Sequence, residues 1–261
     1  MLHYDRAIII SDLHLLESRP AITRAFFQLL EQLPGQTQAL FILGDFFEYW
    51  VGDDAATPFH LDIAERLRAL SNSVNIHLMV GNRDFAMGEA YTELCGATLL
   101  PDPTLVELGG VRWLLSHGDE LCTDDKSYQR YRKVIRHPWV LGTLRRMPLP
   151  WRIKLADYLR GNSQQRNRMN IVRYVDVTES AVQQWLADSQ VDGLVHGHTH
   201  KADWHLHRLS TEVTKPRLVL GDWHHHGWYL SFDVNQQQLH RFSIEEGPEL
   251  SIKETTAETS D

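Results

Sequence analysis

Five short polar motifs, each directly after a run of apolar residues, constrain the fold of this chain more than any other feature. The motifs are Asp12-Leu13-His14, Gly44-Asp45, Gly81-Asn82-Arg83-Asp84, His117-Gly118-Asp119 and Gly197-His198-Thr199-His200. They contain the carboxylate, amide and imidazole groups that bind metal ions, and they are spread over most of a chain of 261 residues. Only a fold that brings the ends of several strands together could use them as one site.

Three of the apolar runs predict β-strands that are buried on both faces, because the runs are short and continuous. They span residues 7–10, 39–43 and 75–80. Apolar residues at helical spacing predict one helix that ends at Pro34-Gly35 and a second helix over residues 59–70. Strands that alternate with helices predict an α/β fold with ligands at the carboxyl ends of the strands.

The second half of the chain predicts further strands. A β-hairpin over residues 104–108 and 111–115, joined by Gly109-Gly110, leads to His117. A helix is predicted over about 178–188 and a strand over 192–195, directly before the last polar motif. Residues 217–220 and 228–234 predict strands of a second sheet, followed by a strand over 239–242.

The motifs predict a site for two metal ions. Because side chains alternate along a strand, Asp12 and His14 should point the same way from one strand end, as should His198 and His200. Mixed imidazole and carboxylate donors favour Mn²⁺, Fe²⁺, Co²⁺ or Zn²⁺. Seven donors exceed the needs of one tetrahedral ion, and Asp45 is the natural bridge between two ions. Two metals roughly 3.5–4 Å apart can activate a water for in-line attack on phosphorus.

The five motifs, in this order, resemble those of the calcineurin-like metallophosphoesterases. The resemblance covers the chain from about Asp12 to His200. It implies an α/β fold, a four-layer αββα sandwich of two mixed sheets. The implied ligands are Asp12, His14, Asp45 and His200 for one metal, and Asp45, Asn82, His117 and His198 for the other.

Arg83 departs from the pattern of that superfamily, which has a histidine at this position to protonate the leaving oxygen. Arginine is no proton donor at neutral pH, but it is a fixed cation whose fork matches phosphate. This favours a substrate whose leaving group is already a good anion, such as one side of a pyrophosphate. The alternative is a structural ion pair of Arg83 with Asp84 or Asp119.

A strongly basic segment lies inside an acidic protein. Residues 126–174 contain thirteen Lys or Arg and one acid, whereas the whole chain has a net charge of −8. The cations alternate with apolar residues that include Trp139 and Trp151, a pattern that predicts a helical lid over about 124–176 in contact with acyl chains and anionic head groups. The alternatives are a solvated helical face for the charges and a packing core of the lid itself for the apolar residues.

A narrower resemblance, to the family of UDP-2,3-diacylglucosamine hydrolases, extends to about residue 245. It is carried by the stretches 10–15, 42–54, 99–103, 117–125, 196–200 and 220–223, and by the sequence Gly81-Asn82-Arg83-Asp84-Phe85. It implies hydrolysis of the pyrophosphate of UDP-2,3-diacylglucosamine to UMP and 2,3-diacylglucosamine 1-phosphate, in lipid A biosynthesis of Gram-negative bacteria, usually with Mn²⁺. The alternatives are a soluble nucleotide-sugar pyrophosphatase or another phosphodiesterase, and an inactive binding scaffold, which the complete ligand set disfavours.

The same resemblance implies roles for individual residues. Asn82, Arg83 and His198 are expected to be catalytic, and the expected substrate contacts are Asn82, Arg83, Asp125, Ser163, Asn167 and His198. Helix capping is the alternative role for Asp125, Ser163 and Asn167. Asn170 stands where relatives have a lysine, so this chain has one cation fewer at that position. His224, His225 and His226 are expected at the surface or behind the metal ligands, because neighbours on a strand face opposite ways.

We expect one domain over residues 1–245 and a flexible acidic tail over 246–261. Two cysteines, no signal peptide and no long apolar run favour the reducing cytoplasm. The basic lid predicts peripheral binding to the anionic cytoplasmic face of the inner membrane. The expected partner is an acylated UDP-sugar, with neither nucleic acid nor an obligate protein partner.

Overall fold

The computed structural model describes residues 1–156, 176–188, 190–234 and 236–250. The strands are β1 (Leu2–Tyr4), β2 (Ala7–Ile10), β3 (Ala39–Leu43), β4 (Asn75–Met79), β5 (Ala97–Leu100), β6 (Thr104–Leu108), β7 (Val111–Ser116), β8 (Gly193–His196), β9 (Asp203–Arg208), β10 (Thr214–Val219), β11 (His226–Asp233) and β12 (Gln236–Ser243). The helices are α1 (Pro20–Gln32), α2 (Pro58–Leu70), α3 (Glu89–Leu94), α4 (Lys126–Ile135), α5 (Pro138–Arg146) and α6 (Glu179–Asp188), and residues 149–156 are also helical.

Within the described residues, the strands form two mixed sheets of six strands each. The first has the order β12-β11-β2-β3-β4-β5, and the second has the order β1-β6-β7-β8-β10-β9. Strands β2, β3 and β4 are parallel neighbours, as are β7 and β8 in the second sheet. Because the carboxyl ends of parallel strands meet at one edge of a sheet, the loops after β2, β3 and β4 lie together, as do the loops after β7 and β8. Contacts such as that of His117 with the Leu43 carbonyl oxygen bring the two groups of loops together.

The layers follow from the alternation of side chains along each strand. Ile8 and Ile10 of β2 pack in a core with α1 and α2, whereas Ile9 packs in a second core between the two sheets. A third core joins Leu114 and Leu194 of the second sheet to α6. These three cores produce the predicted αββα sandwich, so the α/β fold class is confirmed.

The prediction that residues 228–234 join residues 217–220 in a second sheet is wrong. Strand β10 pairs with β8 in the second sheet, but β11 pairs with β2 in the first. Both strands are apolar enough for either sheet, and only pairing with strands distant in sequence assigns them. Strands β1, β5 and β9 were not predicted, because their alternation is short or irregular.

Two further expectations concern the ends of the fold and the membrane. Leu250 packs against the core around α1, and its N–H donates to Gln32 Oε1 at 3.0 Å, so the predicted tail is attached to the domain at its beginning. Residues 251–261 lie outside the described residues. None of the described helices is long and apolar enough to cross a membrane.

Candidate metal centre

The loops after β2, β3 and β8 hold their ligands in an unusual backbone conformation. Asp12, His14, Asp45, His198 and His200 all have positive φ, between 48° and 66°. Residues other than glycine rarely adopt this left-handed region, and clusters of such residues are typical of functional sites. The prediction that Asp12 and His14 converge as alternate residues of an extended strand is therefore wrong. They converge because left-handed turns redirect the chain after the strand has ended.

Two glycines of the motifs allow the loops to approach each other closely. A Cβ atom on Gly81 would overlap the carboxylate and the backbone nitrogen of Asp45. Gly44 has φ +83°, and a Cβ atom there would lie 2.6 Å from Nδ1 of His117. The glycines before Asp45 and Asn82 are thus a steric requirement for bringing these residues to His117.

The first group of donors consists of Asp12, His14 and His200, whose ligand atoms lie within 4.8 Å of one another. Nε2 of His200 lies 3.3 Å from Oδ1 of Asp12 and 3.4 Å from Nε2 of His14. The other oxygen of Asp12, Oδ2, accepts hydrogen bonds from Ser11 Oγ and the His198 N–H. Oδ1 is buried and accepts no hydrogen bond, which fits an oxygen reserved for a cation.

The second group of donors is adjacent and shares residues with the first. Asp12, Asp45 and His117 also lie within 4.8 Å of one another. Asn82 Oδ1 lies 3.0 Å from Nε2 of His117 and 2.8 Å from Nδ1 of His198. All seven predicted donors therefore lie together, at the carboxyl ends of strands from both sheets.

Asp45 lies between the two groups. Its Oδ2 atom is 3.9 Å from Nε2 of His14, and its Oδ1 atom is 3.7 Å from Nε2 of His117. Each oxygen thus faces a different imidazole, which is the arrangement expected of a bridging carboxylate.

His117 is oriented by the strand that precedes Asp45. Its Nδ1–H donates to the carbonyl oxygen of Leu43 at 2.9 Å, so Nε2 is the atom directed at the other donors. Burial lowers the pKa of His117, but the carboxylates of Asp45, Asp12, Asp119 and Asp102 outweigh burial and raise it to about 9. Without a metal, the cluster therefore holds a proton at Nε2, and a divalent ion would displace that proton.

The pKa values of Asp12 and His198 are both lowered, for different reasons. Burial raises the pKa of Asp12, but the neighbouring imidazoles of His200, His117 and His14 hold it well below its usual range. Burial and the charge of His117 lower the pKa of His198 to about 3. An ionised carboxylate and a neutral imidazole are the protonation states that metal binding requires. The donor set and its electrostatics fit divalent ions.

Arg83 lies beside the donors and is held by an acid that we did not predict. Its backbone N–H donates to Asp45 Oδ1 at 2.8 Å, and the Nη1 atom of its guanidinium lies 3.6 Å from Oε1 of Glu48. The other carboxylate oxygen of Glu48 lies 3.5 Å from Nδ1 of His14. Glu48 is the first acid after Asp45 in the sequence, and this proximity was the only signal for its role.

The two acids that we considered as alternative partners of Arg83 have other partners. Asp84 accepts hydrogen bonds from the N–H groups of Gly81 at 2.6 Å and Phe46 at 2.8 Å, and so ties two motif loops together. Asp119 accepts from Arg132 at 3.0 Å and Arg136 at 3.1 Å. Neither contact involves Arg83.

Several cations of the basic segment fasten it to the core. Arg136 donates to the carbonyl oxygen of Gly81 at 2.8 Å, directly before Asn82. Arg145 donates to the carbonyl oxygen of Met87 at 3.1 Å, and the buried Arg152 pairs with Asp54. Arg136, Arg145 and Arg152 therefore bind groups of the protein itself. The two tryptophans of the segment, in contrast, are exposed: Trp139 by 81% and Trp151 by 67%.

The remaining predicted residues differ in what the structure says of them. Oδ1 of Asp125 accepts from the Tyr128 N–H at 2.9 Å, so Asp125 is the N-cap of α4, the alternative that we kept open. Ser163, Asn167 and Asn170 lie outside the described residues. His224, His225 and His226 are exposed, and the rings of His224 and His225 stack on each other at 4.4 Å.

Comparisons with known proteins agree with this geometry. The family model of the calcineurin-like phosphoesterases matches residues 6–202. A UDP-2,3-diacylglucosamine hydrolase of Pseudomonas savastanoi pv. phaseolicola is 47% identical over 251 residues, which cover 96% of this chain and 98% of that protein. The enzyme of the same description from Pseudomonas fluorescens is 49% identical over 238 residues, 91% of this chain and 95% of the relative. Among solved structures, Vps29 of Entamoeba histolytica in complex with Zn²⁺ has a TM-score of 0.47 and 14% identity, and the match covers 92% of this chain and 99% of Vps29.

Proposed function

The chain belongs to the family of UDP-2,3-diacylglucosamine hydrolases within the calcineurin-like phosphoesterases, and on this premise we propose that it hydrolyses the pyrophosphate of UDP-2,3-diacylglucosamine to UMP and 2,3-diacylglucosamine 1-phosphate. The relatives named for this activity match nearly their whole length. The observation that carries the proposal is the position of Arg83, whose backbone N–H donates to the carboxylate of Asp45 at the centre of the donor cluster. This position brings the permanent positive charge of Arg83 next to the candidate metal site, where it can bind a negatively charged diphosphate.

The donors divide into two sets that would each hold a divalent ion, for which we propose Mn²⁺. Asp12, His14, Asp45 and His200 would form the first set, and Asp45, Asn82, His117 and His198 the second. When bound, two such ions lower the pKa of a water molecule and neutralise charge on the phosphate oxygens. The mixture of imidazole and oxygen donors supports Mn²⁺, Fe²⁺, Co²⁺ or Zn²⁺ over Mg²⁺ or Ca²⁺.

Arg83 would bind and orient the diphosphate. Its guanidinium is a donor fork for two phosphate oxygens, and its side chain is 33% exposed, so it is accessible to a substrate. One carboxylate oxygen of Glu48 lies near the guanidinium and the other lies near His14. Arg83 would thus stabilise negative charge that accumulates during the reaction, but it would not act as a general acid, because a guanidinium keeps its protons at neutral pH. The absence of an acid is tolerated because both products leave as phosphate anions.

Asn82 and His198 would act on the same phosphate. Asn82 Oδ1 lies within 3.0 Å of two imidazoles, which fixes the direction of its amide. The ring of Tyr128 stacks against His198 at 6.1 Å, and the N-terminus of α4, capped by Asp125, therefore lies next to the site. Asp125, Ser163 and Asn167 remain proposed substrate contacts.

A comparison of two substrates tests this function. The Mn²⁺-loaded protein should hydrolyse UDP-2,3-diacylglucosamine much faster than UDP-N-acetylglucosamine, which lacks the acyl chains of the former. Equal rates would contradict the lipid substrate and favour a soluble nucleotide-sugar pyrophosphatase. Product analysis in ¹⁸O-water would then identify the phosphorus that is attacked, by label in UMP or in the sugar phosphate.

Peripheral binding to the cytoplasmic face of the inner membrane is the second part of the proposal. The exposed surface of the basic segment combines apolar side chains with cations that the core does not bury. The apolar ones are Val134, Trp139, Trp151 and Ile153, and the cations are Arg130, Lys133, Arg146 and Lys154. Aromatic and aliphatic residues beside Lys and Arg favour an interface with anionic lipids, at about 1 kcal/mol per cation near the surface.

Vesicle binding in the absence of substrate tests this surface. Substitution of Lys133, Arg146 and Lys154 by glutamine should weaken binding to anionic vesicles and leave binding to neutral vesicles nearly unchanged. The matched control removes three exposed cations from α1 and α2, Arg24, Arg66 and Arg68. Equal losses in both triple variants would reduce the effect to net charge and contradict a defined membrane surface.

A further inference from the structure

A buried arginine lies behind the loop that carries His198 and His200. Arg217 of β10 is only 4% exposed. Its Nη1 atom donates to Nε2 of His196 at 3.0 Å, and its Nε atom donates to Nε2 of His207 at 3.0 Å. Nη1 also lies 3.6 Å from Oδ1 of Asp176, which balances the buried charge. A single guanidinium thus connects two histidines and an acid that are far apart in the sequence.

The chemistry of arginine determines the tautomer of both histidines. A guanidinium has only donors, so Nε2 of His196 and Nε2 of His207 must both be unprotonated acceptors. Nδ1 of His196 then carries the proton and donates to the Gly197 carbonyl oxygen at 2.8 Å. Nδ1 of His207 donates in the same way to Oε1 of Glu179 at 2.8 Å. Both rings are therefore neutral and fixed in one orientation.

His196 transmits this orientation to the loop. The Gly197 carbonyl that accepts from His196 also accepts from the Thr199 N–H at 2.8 Å, and the Gly197 N–H donates to the His117 carbonyl oxygen at 3.0 Å. The ring of His196 also packs against Gly118, where a Cβ atom would lie 2.8 Å from Nδ1. The peptide that precedes His198 is consequently held on both sides, and this restrains a loop whose residues His198 and His200 have positive φ.

We propose that Arg217 is a positioning residue for the metal-binding loop 197–200, acting through the tautomer that it imposes on His196. Arg217 touches neither the donors nor the substrate. By donating to Nε2 of His196, Arg217 keeps the ring proton on Nδ1, where it binds the Gly197 carbonyl oxygen. Without Arg217, the proton could move to Nε2, and the hydrogen bond to the Gly197 carbonyl would be lost. Changes in residues behind metal ligands typically cost 10–100-fold in metal affinity or activity. The lower end, about tenfold, applies here because Arg217 acts through one intermediate ring.

The first test needs no substitution. Long-range ¹H–¹⁵N spectra of the metal-free protein distinguish protonated from unprotonated ring nitrogens. His196 and His207 should both be protonated at Nδ1 and unprotonated at Nε2 at neutral pH. A proton on Nε2 of His196 would overturn the proposal, whatever the protein hydrolyses.

The second test removes the guanidinium. Arg217→Met and Arg217→Lys should both bind Zn²⁺ about tenfold more weakly, because a lysine ammonium retains the charge opposite Asp176 but cannot occupy both positions of the fork. With the acylated substrate, kcat should fall and KM should stay nearly unchanged. The control is Arg208→Met, on the neighbouring strand β9, since among the described residues the Arg208 side chain donates to the carbonyl oxygens of Ser210 and Thr211 in its own turn.

The lysine variant protects the test against a failure to fold, which circular dichroism would detect in the methionine variant. A folded Arg217→Lys protein with wild-type Zn²⁺ affinity would overturn the proposal. The inference rests on the proposed metal site, but its failure is distinct from failure of the proposed function. A wild-type protein that has the expected tautomers and binds Zn²⁺, yet does not cleave the lipid substrate, would refute only the latter.

Discussion

Replacement of Gly81 by alanine would place a methyl group in the space that the Asp45 carboxylate occupies. The added Cβ atom would overlap Oδ1, Cγ and the backbone nitrogen of Asp45. Gly81 does not have a positive φ, so the substitution introduces steric overlap without backbone strain. Asp45 cannot simply rotate away, because Oδ1 accepts the Arg83 N–H at 2.8 Å and Oδ2 faces His14. The carboxylate or the loop after β4 must therefore move.

The expected magnitude follows from the size of that movement. Because Asp45 is buried, the added methyl group overpacks the site, which costs about 1–3 kcal/mol of stability. Relief of the overlap requires a displacement of about 1 Å, which commonly reduces a rate about 100-fold. This corresponds to about 2.7 kcal/mol of lost transition-state stabilisation. Because Asp45 faces both donor groups, we also expect reduced content of both metals.

Turnover of the acylated substrate, metal content and urea unfolding would be measured together. The control is Gly35→Ala, at a position with φ +78° and no atom within 4 Å of the added Cβ. That variant should lose about 1 kcal/mol of stability from backbone strain and keep full activity. A Gly81→Ala protein with wild-type kcat and two bound metals would refute the reasoning, because it would show that the site tolerates displacement of Asp45.

Three further predictions concern the donors, the substrate cation and pH. Asp45→Ala should lower the occupancy of both metals, measured by metal analysis, and retention of one ion at full occupancy would contradict a bridging role. Arg83→Lys should reduce kcat/KM on the diphosphate about tenfold, because the point charge remains but the donor fork is lost; steady-state kinetics with unchanged values would exclude bidentate binding. Burial lowers the pKa of His60 to about 4 from 6.5, and its Nδ1 atom accepts from the Thr57 N–H at 3.0 Å at the start of α2. The unfolded chain takes up this proton first, so the free energy of unfolding should fall as pH decreases from about 6.5 toward 4. His60→Gln retains an acceptor for the cap, and its free energy of unfolding, measured by urea unfolding, should fall less over the same pH range. Equal pH dependence in both proteins would contradict this.

Much of the candidate site was predictable from the sequence because its donors follow buried strands directly. Asp12, Asp45 and Asn82 come after three runs whose continuous apolar character predicts parallel neighbours, and parallel strands bring their carboxyl ends to one edge. The order of the motifs was specific enough to indicate the family. Asp125 shows the limit of this reasoning, since a capping carboxylate and a substrate-binding carboxylate have the same pattern at the start of a helix.

The sequence by itself thus determined the α/β class, the seven donors and the cationic Arg83, because each depends on residues within one strand and the loop after it. Contacts between distant parts of the chain were needed to show that left-handed turns direct the donors, that β11 joins the first sheet, and that Arg145 and Arg152 attach the basic segment to the core. The tertiary structure also decided the partners of distant residues, such as Glu48 for Arg83 and Arg217 for His196. The physical reason is that hydrophobic periodicity reports burial over a few residues, whereas hydrogen bonds between remote side chains depend on strand register and on how two sheets pack.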